Sequence, residues 1–211
     1  MDEQQRIFTE FELTPRQHTR YLPKMMDAVL EQSGIAKSKL SHIAYSNGPG
    51  AFTGVRIAAS TAQGLSIGLN VPIVPVSTLA VLAQQAYDEQ GSNEVLVALD
   101  ARMGETYTAL FRLDTDTGLV FCEGKEALIK LELLKAIKPG CSAGSGFRAR
   151  RVEKGIDEPD CHICEEVYPT AQALVKLAKQ SILEHQVVSA DQASINYIRN
   201  NVAVKKKPKN V

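Results

Sequence analysis

The chain has 211 residues, 44% apolar and 23% charged, with 24 Lys and Arg against 24 Asp and Glu. That is the make-up of an ordinary soluble globular protein, and the charge balance leaves no global field to draw it onto nucleic acid or an anionic membrane. If an RNA is the substrate, a partner must supply most of the phosphate contacts.

The longest weakly polar run, Val55 to Val76, is broken by Arg56, Gln63, Asn70 and Pro72, so no segment reads as a membrane span. The polar start MDEQQRIF is unlike a signal peptide. Cysteines 122, 141, 161 and 164 lack a framework spacing. Reduced thiols, a cytoplasmic location and no membrane partner are the expectation.

RIFTEFEL (6–13) alternates, with Ile7, Phe11 and Leu13 on one face, and predicts a half-buried strand. Thr14 follows as a helix cap, with Pro15 at the first position and Gln17 as the capping-box partner. Leu22, Met25, Met26, Val29 and Leu30 recur at helical spacing up to Gly34, a C-terminal cap. Pro23 removes the bond to the Thr19 carbonyl and should kink this helix. SHIAYS (41–46) predicts a strand, NGPG (47–50) a turn, and residues 53–69 a helix of small residues. VPIVPV (71–76) is a further strand, after which Ser77 caps a helix reaching Gln90.

Gly91, Ser92 and Asn93 mark a boundary between lobes 1–92 and 93–211. EVLVALDA (94–101) and ETYTALFRL (105–113) form a hairpin, joined by a third strand, LVFCE (119–123). A helix over 126–138, a strand at 141–144, and helices over 147–155 and 170–186 complete the pattern. Strands interleaved with helices predict α/β layers in two related lobes.

Residues 47–69 carry the most information. Gly48, Pro49, Gly50 and Gly54 lie between strand and helix, where glycine permits positive φ and close backbone approach. Two readings stand. A tight turn brings the helix onto its sheet, or the loop (Gly48, Gly50, Gly54) with Arg56 binds an anion at the helix start. No Gly-Lys-Ser/Thr follows, so it is not a Walker loop. Ala58, Ala59, Ala62, Ser66 and Gly68 keep the helix thin, so another helix can approach it, while Val55, Ile57, Leu65, Ile67 and Leu69 spread apolar surface around it.

GPGAFTGVRI here closely resembles the GPG-[SA]-FTG-[LV]-R signature of the TsaB (YeaZ) family. HTRYLPKM (18–25) resembles that family's first helix, ALDARMGETYTALF (98–111) its DAR hairpin and NYIR (196–199) its late tyrosine-arginine motif, in the family's order over nearly the whole chain. The resemblance implies an actin/Hsp70-like (ASKHA) two-lobe α/β fold. It also implies a non-catalytic scaffold that pairs with the catalytic paralogue TsaD and with the ATPase TsaE, self-associates as a homodimer, and meets tRNA only indirectly. The complex transfers threonylcarbamoyl to the adenosine 3′ of the anticodon, with its ATP or ADP held mainly by partners. No cofactor or metal is expected in this chain itself. Relative to the family pattern the first lobe is truncated. The chain starts about twenty residues late, without a hairpin carrying an Asp-Thr/Ser phosphate loop, whether from a misassigned start codon or from truncation. Lost central strands would expose edge backbone and invite oligomerisation or instability.

The residues agree with degeneracy. His18 has Leu22, not a second histidine, one turn on, and His42, His162 and His185 lack partners at ligand spacing. No nucleophile with its base is visible. Cys161-His-Ile-Cys164 has the spacing of half a zinc or redox site, against two ordinary cysteines. Asp100 and Arg102 read as a salt-bridged hairpin turn or a partner contact, and Lys205–Lys209 as a solvated tail or a weak tRNA attraction. The candidate partner-binding residues are His18, Tyr21, Leu22, Met25, Arg56, Ile57 and Ser60, an aromatic and methionine surface beside a thin helix. Leu22 and Met25 read equally as core. An ATP-binding or peptidase-like enzyme and a plain homodimerisation module are the alternatives.

Overall fold

The structure, a computed structural model, describes residues 1, 6–13, 17–136, 140–155 and 162–199. Its elements run α1 (His18–Ser33), β1 (Ile43–Ser46), α2 (Phe52–Leu69), β2 (Ile73–Val76), α3 (Thr78–Gln90), β3 (Glu94–Arg102), β4 (Glu105–Asp114), β5 (Leu119–Lys130), β6 (Cys141–Ala143), α4 (Ser145–Lys154), β7 (Ile163–Cys164) and α5 (Ala171–Leu183). β1 and β2 pair in parallel, with Ile43 opposite Ile73, and α2 is the crossover helix that such a pair requires. The second sheet has the order β5-β4-β3-β6-β7. Its β3–β4 and β4–β5 pairs are antiparallel, and β6 and β7 add in parallel.

Helices and sheets alternate in five layers. Ala59 and Ala62 of α2 pack on Tyr45 and Ile73, one face of the small sheet. Ala173 and Ala178 of α5 cover its other face at Val74 and Val76. Leu79, Leu82, Ala83 and Ala86 of α3 pack on Val95, Val97, Phe111 and Cys141 of the large sheet. Phe147 of α4 and Leu134 close its far side over Ala98. Thus α3 precedes residues 91–93 yet covers the second sheet, and α5 follows them yet covers the first.

Local chemistry sets these contacts. Ser77 accepts hydrogen bonds from the amides of Leu79 and Ala80, so α3 starts where a cap was expected. Gln84 is fully buried, and its Oε1 accepts from the Val120 amide at 3.0 Å, tying α3 to β5. At the β6–α4 turn, Gly144 has φ +106, and a Cβ built on Gly146 would lie 2.5 Å from Thr106 Oγ1. Only a residue without a side chain lets α4 start this close to β3 and β4.

The structure departs from the expectations in several places. Residues 6–13 form no strand; among the described residues they join no sheet, and Phe11 and Leu13 are more than half exposed. An alternating pattern supplies a face, whereas a strand also needs a neighbour's backbone. The helix expected at 126–138 is absent. Residues up to Lys130 continue β5, with Ala127, Leu128 and Ile129 opposite Thr108, Tyr107 and Thr106, and Leu131–Leu133 form a 3-10 turn. Pairing along the full length of β4 overrides the local helical spacing; residues 137–138 lie outside the described residues. Helix α1 starts at His18 with Gln17 making no side-chain cap bond, and the expected cap at Thr14 and Pro15 lies outside the described residues, as do Cys161 and the basic tail. Gly34 ends α1 in the left-handed region at φ 67, as its position predicted. In α2 the buried positions are the small ones, Ala59, Ala62 and Ser66, while Ile67 is 73% exposed.

Candidate functional site

Helices α1 and α2 lie side by side, and the sequence's candidate surface residues converge between them. His18, Tyr21, Leu22 and Met25 from α1 meet Gly54, Ile57 and Ala58 from α2 around a groove of about 290 Å³, with Glu12 at its edge. The convergence follows from spacing: positions 18, 21, 22 and 25 share one face of α1, and 54, 57 and 58 one face of α2. Gly54 therefore belongs to this groove, and small residues there let the two helices approach. None of the α1 residues is buried. The Tyr21 ring has the Arg20 guanidinium and the Lys24 ammonium each 6.0 Å from its centroid. Ser60 lies on α2 beyond the groove and spends its hydroxyl on the carbonyls of Arg56 (2.7 Å) and Ile57 (3.2 Å).

Arg56 turns the other way. Its guanidinium carbon lies 3.2 Å from the Phe52 ring centroid and 5.3 Å from that of Tyr197, a cation held between two aromatic faces. Among the described residues no carboxylate pairs with it, and its hydrogen bond to the Phe52 carbonyl is long, 3.4 Å. Arg56 thereby lines a cleft of about 760 Å³ between the lobes. One wall is the loop Pro49–Ala51 with Phe52, the opposite wall is Asp100–Met103, and the floor is Ile195–Arg199. Phe52, Met103 and Tyr197 are each at least half exposed at its rim.

The loop glycines do not act together. Gly50 faces the cleft; Gly48 is buried, has φ +103, and a Cβ there would sit 3.2 Å from the Asn196 carbonyl oxygen. The tight-turn reading thus applies at Gly48, and the anion reading is confined to Gly50 and Arg56. Asp100 and Arg102 form the salt-bridged turn: the Arg102 guanidinium lies 2.9 Å from the Asp100 carboxylate, which also accepts the Arg102 amide at 2.7 Å. Arg102, Met103 and Gly104 all have positive φ, which suits the twist of a tight hairpin.

Sequence reasoning missed Phe52 and the Ile195–Arg199 floor as site residues. The signal was already present in NYIR (196–199), read only as a motif of resemblance and not as site residues. Arg199 is largely buried and donates to the Ala101 carbonyl at 3.0 Å and to Glu105 at 2.7 Å.

Two of the four cysteines, Cys141 and Cys164, lie together at the second sheet. Cys141 Sγ lies 3.8 Å from Cys164 Sγ, which is 3.7 Å from His162 Nε2. Burial, reinforced by Cys164, pushes the Cys141 thiol up to about 12, so it is a packed thiol and not a nucleophile. Among the described residues no three His, Cys, Asp or Glu side chains are grouped to hold a metal ion, and no helix is long and apolar enough to cross a membrane.

Residues 10–206 match the family model described as TsaD, tRNA N6-adenosine threonylcarbamoyltransferase. The Escherichia coli K12 tRNA threonylcarbamoyladenosine biosynthesis protein TsaB is 37% identical over 210 residues, covering 96% of this chain and 89% of its own length. A Pseudomonas aeruginosa protein described as similar to peptidase YEAZ superposes with a TM-score of 0.82 at 36% identity, over 90% of this chain and 88% of that one. YeaZ from the same organism gives 0.79, also at 36% identity, over 89% and 87%. The layered architecture is therefore the actin/Hsp70-like two-lobe fold. Similarity along nearly the full length, in sequence and in fold, assigns this chain to the TsaB (YeaZ) family, within the wider family named for the TsaD transferase.

Proposed function

We propose that this chain is a non-catalytic subunit of the machinery that places threonylcarbamoyl on tRNA, and that it works by docking to its TsaD paralogue through the α1–α2 groove. The observation that carries the reading is the groove itself. Apolar and aromatic side chains of two helices gather there, all of them only partly buried, the composition of a helix-on-helix interface. A second copy of the chain would meet the same surface, so homodimer and heterodimer compete for it. TsaE and tRNA join through the assembled complex. With 24 charges of each sign, this subunit has little attraction for tRNA by itself. Nucleotide in the complex is held mainly by partners, with Gly50 and Arg56 as this chain's own candidate anion contacts.

The test is to mix the purified chain with the paralogue from the same source and read masses by light scattering after gel filtration. A heteromer replacing the homo-oligomer is expected, and Tyr21→Ala and Ile57→Ala should weaken it about tenfold or more if they are interface anchors. A chain that ignores the paralogue, or variants that bind as well as the parent, would overturn the reading.

A further inference from the structure

The segment after α5 touches both lobes in turn. Val188 bridges to Ile73 of β2, and Ala190, Ala193 and Ile195 pack under α2 beside Tyr45 and Ala59. Ser194 accepts the Tyr45 hydroxyl at 2.7 Å, and the Asn196 amide donates to the Asn47 carbonyl at 2.8 Å. From Asn196 onward the second lobe is contacted as well. Asn196 Nδ2 donates to Glu126 Oε2 at 2.6 Å, and the other oxygen of that β5 carboxylate accepts from Ser77, the cap of α3. Tyr197 stacks on Arg56 in the first turn of α2, and Arg199 reaches the β3–β4 hairpin at Ala101 and Glu105.

We infer that residues 188–199 are a strap that sets the closure of the two lobes and, through Tyr197, holds the first turn of α2, so that the hairpin of the second lobe is coupled to the docking helix of the first. The proposal deepens the docking reading above and rests on it only for the part concerning affinity. Two features make the strap releasable. Buried Asn47 Oδ1 and Arg199 Nε, both at its anchor points, have no hydrogen-bond partner, so opening recovers their solvation. Its anchors to the second lobe, at Asn196 and Arg199, are also hydrogen bonds on residues 193–199, which follow the short 3-10 turn Ala190–Gln192 and belong to no helix or strand, the kind of structure that opens locally.

Hydrogen exchange on the full-length chain, read by mass spectrometry, tests this. Asn196→Ala and Arg199→Ala should raise exchange about tenfold or more in peptides covering both 47–57 and 98–107, while peptides covering 108–113 in β4 stay as in the parent. Arg199→Lys keeps the charge near Glu105 but not the full set of donors, and should lie between; it serves if Arg199→Ala does not fold. Glu123→Ala, outside the strap's network, should leave both regions unchanged. Affinity for the paralogue should fall about tenfold with Asn196→Ala, a typical coupling between sites. Faster exchange confined to the mutated segment, with 47–57 unmoved, would overturn the strap. A parent chain that does not bind the paralogue would remove the docking reading and leave the exchange result to decide the strap.

Discussion

The two sheets of this protein are unequally satisfied. In the five-stranded sheet Val95, Val97 and Ala98 are fully buried, and helices cover both faces. In the first lobe β1 and β2 pair with each other, and among the described residues β2 gains only a single antiparallel bridge, Ile73 to Val188, while none of the sixteen residues of α1, which carry an apolar stripe, is buried. Stability is thus concentrated in the second sheet and the α3–α5 layer, while the apolar stripe of α1 (Tyr21, Leu22, Met25, Met26, Val29, Leu30) stays only partly buried. A rigid platform carrying an adaptable helical face suits a subunit whose work is to bind.

The sharpest way to break the comparison is to truncate one leucine in each region. Leu82→Ala empties a fully buried site between α3 and the large sheet and should cost about 4 kcal/mol in chemical denaturation. Leu22→Ala, in the groove, should cost under about 1 kcal/mol in the isolated chain, because little is packed around it. Equal losses would mean that α1 is already buried in solution, by a second copy. Gly146→Ala comes next. Its Cβ would lie 2.8 Å from that of Ala98 as well as against Thr106, and the forced shift of α4 should cost about 3 kcal/mol, seen as a lowered melting temperature. Gln84→Ala should cost about 2 kcal/mol by the same measurement, since the buried Val120 amide loses its acceptor.

The gentlest probe is the Cys141 thiol. Its proton is held more tightly folded than unfolded, so the folded state binds more protons than the unfolded chain above the thiol's ordinary value of 9.0. Its contribution to stability is whole below that pH and is lost as pH rises toward about 12. At pH 8 Cys141 should resist iodoacetamide until the chain unfolds. Prompt labelling would show that the large sheet opens locally and that the contrast between the lobes is smaller than the packing implies.

The sequence alone determined most of the local structure. Ser77 announced the start of α3, Gly34 the end of α1, and the Arg102–Gly104 turn the hairpin, because capping and turn chemistry act over three or four residues. It also put His18, Tyr21, Leu22 and Met25 on one stripe of α1 by helical spacing, while that stripe's meeting with Ile57 of α2 came from the tertiary packing. Three other things were decided by the tertiary structure. Residues 6–13 have a strand's alternation and no strand to pair with, and 126–130 have a helix's spacing yet follow the edge of β4, because pairing depends on backbone donors far away in sequence. Arg56 was assigned to the helix surface and the anion loop at once. Its direction depends on Tyr197, 141 positions later, a contact that exists only once the chain has folded back between its lobes.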